Sequence, residues 1–116
     1  MRPSPKTIRA VFYRMASGGE PVRDWLKEDL SPEDRKIVGT DIATVEYGWP
    51  MGMPTCRPLG KGLREVRSSL PGNRIARVIF CILGDRMVLL SGFIKKSRKT
   101  PQSEIDKAAG RMKELT

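Results

Sequence analysis

The sequence predicts an α+β domain: a small twisted, antiparallel-rich sheet packed by an N-terminal helix hairpin and a C-terminal helix. Three observations predict it. The chain has 116 residues, the size of one domain. Apolar residues recur at strand spacing near the start and again from residue 63, and at helical spacing between 21 and 47 and after 100. Turn and cap residues separate these stretches. The predicted order is β-α-α-β-β-β-α over one domain, residues 1–116.

Residues 7–13, "TIRAVFY", are rich in β-branched and aromatic side chains and read as the first strand. "SGGE" breaks it, and Pro21 suits a first helical position. Val22, Trp25, Leu26 and Leu30 give 21–30 one apolar helical face. "SPED" (31–34) is a second start signal, with Ser31 as N-cap, Pro32 behind it and acids in the first turn. Val38, Ile42 and Val45 carry that helix to about Tyr47, where Gly48 and Pro50 stop it. The stretch "GWPMGMPTCRPLGKG" reads as loop, with Trp49 and its methionines covering a core edge. Three strands follow, "LREVRSS", "RIARVIFCIL" and "RMVLLSGFI", joined by the turns "LPGN" and "GD" into a meander. Thr100 and Pro101 then read as N-cap and first residue of a last helix, with Ile105, Ala108, Ala109 and Met112 on its apolar face.

Charge narrows the function classes. Net charge is +9, yet residues 1–56 hold eight basic and eight acidic residues. Residues 57–116 hold fourteen basic and five acidic, so the whole excess lies there. Such asymmetry points to a polyanion, and nucleic acid is the common one. The alternative is a basic face that only aids solubility. No run approaches the ~20 apolar residues of a membrane span. The N-terminal cations have no apolar run behind them, so no secretory signal is expected and the cytoplasm is the expected location. There is no histidine, and Cys56 and Cys81 lie far apart, so no metal and no cofactor are expected. Cys81 reads as a core residue.

The densest charge, Lys95, Lys96, Arg98 and Lys99, closes the last apolar strand. Arg67 and Arg77 fall inside the two strands before it. Antiparallel pairing can bring Arg67, Arg77 and the Lys95–Lys96 pair onto one face as a cationic basin fit for a phosphodiester. Lys61, Arg64, Arg74, Arg98 and Lys99 are candidate phosphate guides around it.

These stretches also carry a resemblance. "LGKGLREVR", "RIARVIF", "VLLSGFIKKSRKTP" and the helix pattern ending "AAGRM" resemble the phage-derived branch of the RelE/HigB-like toxins. That branch reads Gly-Leu-x-Glu-Leu-Arg, Tyr-Arg-Val, then Leu-Leu-x-x-Phe-x-Lys-Lys-x-x-x-Thr-Pro. The resemblance covers residues 59–112 in order. It implies a RelE-like fold and a metal-independent endoribonuclease that cleaves mRNA on the ribosome. It also implies a cognate HigA-like helix-turn-helix antitoxin as partner. Arg67, Arg77, Lys95 and Lys96 match the motif positions and become the candidate catalytic residues. Ala76 departs from the usual tyrosine, and Ser91 stands where histidine is common.

Without metal, such cleavage uses the RNA 2′-hydroxyl as nucleophile and leaves a 2′,3′-cyclic phosphate and a 5′-hydroxyl. Two guanidiniums suit the charge that builds on phosphorus. Lys95 or Lys96 is the candidate proton carrier, with Glu65 the alternative. Two other functions fit the same charges: a non-enzymatic nucleic-acid-binding phage accessory module, and a toxin that keeps its antitoxin but has lost its chemistry.

Overall fold

A computed structural model describes residues 5–95 and 99–115. Strand β1 (Arg9–Phe12) leads to α1 (Pro21–Asp24), which runs on as a π-helical turn over Trp25–Asp29. Helix α2 (Pro32–Gly48) follows, then β2 (Cys56–Gly60), β3 (Leu63–Leu70), β4 (Arg74–Leu83), β5 (Arg86–Lys95) and α3 (Gln102–Glu114). The order differs from the expected one by a strand. Residues expected as loop contain β2, which pairs antiparallel with β3 from Cys56 opposite Val66. Pro58 and Gly60 hid it, because both argue against a strand interior. β2 is an edge strand, where a proline costs no ladder bond that the sheet needs.

The sheet is mixed, in the order β1-β5-β4-β3-β2. β2 to β5 form the antiparallel part, and β1 lies parallel to β5, with Arg9 opposite Arg86 and Phe12 opposite Leu89. The most apolar strands, β4 and β5, are thus interior and covered on both faces. On one face Val22, Leu30, Val38, Ile42 and Val45 from the helices bury Val66, Val78, Phe80 and Leu89. On the other, Ala108 of α3 packs among Leu63, Ile79, Cys81, Leu90 and Phe93. Cys56 and Cys81 belong to opposite layers, so they are core residues on two sides of the sheet. Burial pushes both thiols up, Cys56 to about 11, which suppresses the reactive thiolate.

Local signals explain most boundaries. Ser31 caps α2, its Oγ accepting from Asp34 N at 3.1 Å, with Pro32 in the first turn. Gly72 and Asn73 both take positive φ in the β3–β4 turn, a conformation that glycine and asparagine accept most readily. Two expectations shift. Thr100 does not cap α3: Pro101 is the cap residue, and the Thr100 hydroxyl is used elsewhere. In β5, Leu90 is an extra residue, since Ile79 pairs with Ser91 and Phe80 with Leu89. Arg111 of α3 donates to the Leu90 carbonyl at 2.7 Å, tying the helix to this bulge.

Gly92 shows how tightly the helix layer sits. A Cβ there would fall inside contact distance of the Trp25 indole, a rigid ring that must move as a whole to make room. Gly92→Ala is therefore expected to destabilise the domain by about 1–3 kcal/mol in urea unfolding. An unchanged midpoint would mean that the indole shifts without cost.

Candidate functional site

Strand alternation sorts the cations onto two faces. Arg67 stands directly opposite Arg77 in the β3–β4 register, and Arg77 opposite Phe93 of β5. Lys95 pairs with Ile75, one alternation further along the same face, and ends exposed. The structure thus brings Arg67, Arg77 and Lys95 to the α3 face. Lys96 and Arg98 lie outside the described residues.

Arg64 and Arg74 alternate to the other face. Arg64 lies over the Trp49 ring at 4.9 Å, and that ring meets Phe80 edge-on at 5.9 Å. Arg74 grips Asp34 of α2 with two nitrogens, at 2.8 and 3.3 Å. Both are held by the α2 layer and stand apart from the Arg67–Arg77 pair. Lys61 is exposed in the β2–β3 turn, and Lys99 is exposed just before α3.

The centre of the α3 face is a buried ionic network. Glu65 is fully buried in β3, and both its oxygens accept. Arg67 Nε donates to Oε1 at 2.7 Å, and the Thr100 hydroxyl donates to Oε2 at 2.6 Å. Arg77 is also fully buried, and its Nη1 donates to the Lys99 carbonyl at 3.2 Å. Burial lowers the Arg77 pKa, the Arg67 charge lowers it further, and Glu65 opposes both. Arg57 of β2 also presses on Arg77 and sits opposite Glu65 in the register. Arg57 is thus a further cation of this face that the sequence reading missed, because it lay in the supposed loop.

The network has a mechanical effect. Thr100 and Lys99 are the residues through which the chain returns from the basic segment into α3. Glu65 and Arg77 hold that return at two adjacent points. Arg67, about one-fifth exposed, is the member of the pair that reaches the surface.

The two motif departures fall apart in space. Ala76 is buried in the α2-side core, on the face opposite Arg77, so a larger side chain there would fill core. Ser91 faces α3 and donates to Glu104 at 2.8 Å while nearly fully buried. Among the described residues no group of three or more His, Cys, Asp or Glu side chains is placed to hold a metal ion. No helix there is long and apolar enough to cross a membrane.

The family model described as "Phage derived protein Gp49-like (DUF891)" matches residues 24–113. The chain belongs to this Gp49-like family. The match runs from the end of α1 to the end of α3, so it includes β3, β4, β5 and the whole ionic network. The Gp49-like family is phage-derived and associated with toxin–antitoxin pairs. Comparison with curated proteins gave no match.

Proposed function

We propose that this Gp49-like protein is the toxin of a toxin–antitoxin pair and acts as a metal-independent endoribonuclease on mRNA engaged with the ribosome. The observation that carries the reading is the Arg67–Arg77 pair, two arginines opposite each other in the β3–β4 register and near enough for the charge of Arg67 to act on Arg77, with the exposed Lys95 on the same face. One is buried and fixed, and the other reaches the surface. A phosphodiester passing over Arg67 would meet a cation already oriented by Glu65, with the Arg77 charge behind it. Fixed positive charge stabilises the phosphorane more than the ground state, because charge grows on the oxygens at that step.

Glu65 fits a positioning role better than that of base. It is fully buried, and both its oxygens are engaged. Lys95, exposed at the strand end on the same face, is the proton carrier in this reading, together with Lys96. An antitoxin partner, HigA-like with a helix-turn-helix, would neutralise the basic segment when the pair is assembled.

Purified protein incubated with translating ribosomes and mRNA, with magnesium for the ribosome as the only divalent ion, is expected to give new 5′-hydroxyl ends. Lys95→Ala is expected to slow their appearance at least tenfold. Intact mRNA from correctly folded parent protein would reject the nuclease reading and leave a binding module or a toxin without chemistry.

A further inference from the structure

Beyond Val66, β3 runs past the end of β2. The β2–β3 register stops at Cys56–Val66, with one further bond from Arg67 N to the Thr55 carbonyl at 3.4 Å. The space beside this overhang is a groove of about 620 Å³ between the 53–55 segment and α2. Ligand pockets commonly measure about 300–1,000 Å³. Ile37, Met53, Pro54 and Ile75 give it apolar walls, and Met53 is two-thirds exposed. Its polar lining residues are Asp41, Thr55, Arg67 and Ser69.

Asp41 is the unusual member. In a chain of net charge +9 it stands in none of the ion pairs formed among the described residues. It shares the groove with the surface-reaching arginine of the ionic network. A ligand that meets both would bring an anionic group to Arg67, alongside the Glu65 carboxylate that already holds its Nε, and a flat, neutral body with N–H donors to Asp41. A nucleotide has this form. Among the four RNA bases, guanine alone places two adjacent donors, N1–H and N2–H, on its Watson–Crick edge. A carboxylate accepts such a pair with both oxygens, as it does from an arginine. Single-stranded RNA is read through these edges, with the base held against side-chain surfaces.

We propose that this groove binds a guanine of single-stranded RNA, its Watson–Crick edge on Asp41 and its neighbouring phosphate on Arg67. This rests on the RNA-binding reading above and adds the base that the site selects. The Met53–Pro54 segment and Ile75 supply the apolar surfaces for the ring, and the open edge of β3 leaves room for the backbone. A paired contact of this kind discriminates against the wrong base by about tenfold or more.

The test reads binding apart from cleavage. Labelled hexanucleotides with 2′-deoxy sugars, which cannot be cut, are titrated with the full chain in EDTA by fluorescence anisotropy. They carry guanine, adenine, cytosine or hypoxanthine at one place in a uridine background. The expected result is about tenfold tighter binding of the guanine oligomer, with hypoxanthine losing most of the gain because it lacks the 2-amino group. Asp41→Asn is expected to bring all four within about twofold while leaving the adenine oligomer unchanged. Arg67→Lys is expected to weaken all four alike. Equal affinities in the parent protein, or a guanine preference that survives Asp41→Asn, would overturn the proposal while leaving RNA binding in place. Failure to bind any oligomer would also overturn the proposal, while the nuclease reading keeps its own test on ribosome-engaged mRNA.

Discussion

Replacing Arg67 with alanine is expected to reduce mRNA cleavage at least 100-fold, with most of the loss in kcat. The guanidinium is the surface member of the opposed pair, and Glu65 fixes its orientation through Nε. A preorganised donor of this kind acts where charge develops, and removing one commonly costs about 100- to 1,000-fold in rate. Arg67→Lys separates charge from geometry. Lysine keeps the cation but loses the paired planar donors, so it should recover only a minor part of the rate. Single-turnover cleavage of a defined mRNA, with bound substrate measured separately, reads both variants. If Arg67→Lys cleaves at the parent rate, the site needs only a diffuse positive field, and the oriented phosphate grip is wrong.

The second large effect is on stability. Glu65→Ala removes the carboxylate that faces Arg67, Thr100 and the buried Arg77 charge. Breaking a buried ion pair by deleting one partner costs about 3–5 kcal/mol, because the remaining charge stays buried without compensation. For a domain of this size that is a fall in Tm on the order of 10 °C or more. Glu65→Gln should fall between, since its amide oxygen still accepts one bond but the charge is gone. Differential scanning calorimetry of the three proteins orders them. A Glu65→Ala protein as stable as the parent would mean that Arg77 finds another anion or water, and that Glu65 is not the keystone of this layer.

Sequence reading and structure agree where local chemistry decides. Ser31 and Pro32 start α2 as their types require, and the alternation of Arg67 and Arg77 puts them on one face. The failures have a common cause, which is tertiary context. β2 is held by its pairing with β3 despite Pro58, and no local signal reports that partner. Thr100 has the residue type of a helix cap, yet a buried carboxylate 35 positions earlier takes its hydroxyl. Arg64 and Arg74 read as phosphate guides from charge alone, and no local signal reports the indole and the aspartate that they meet on the opposite face. Burial of Arg77 was equally invisible, because a strand arginine in an apolar alternation reads the same at an edge as in the interior. Arg57 and Asp41 carried no signal beyond their charge, since each matters only through neighbours that the fold supplies.

The parallel pairing of β1 with β5 joins Arg9–Phe12 to Arg86–Leu89, with every other strand of the sheet between them in the chain. Arg9–Phe12 has no strand to lie against until Arg86–Leu89 has been made, and the intervening strands cannot substitute. At a synthesis rate of roughly 5–20 residues per second, several seconds separate the two. During that interval the cations of β3 and β4 emerge on a chain whose sheet is not yet closed. The β3–β4 hairpin can set Arg67 against Arg77 early, but Glu65 gains the Thr100 hydroxyl, and Arg77 the Lys99 carbonyl, only once the chain has passed β5. The ionic network of the α3 face is thus completed late in the growth of this domain.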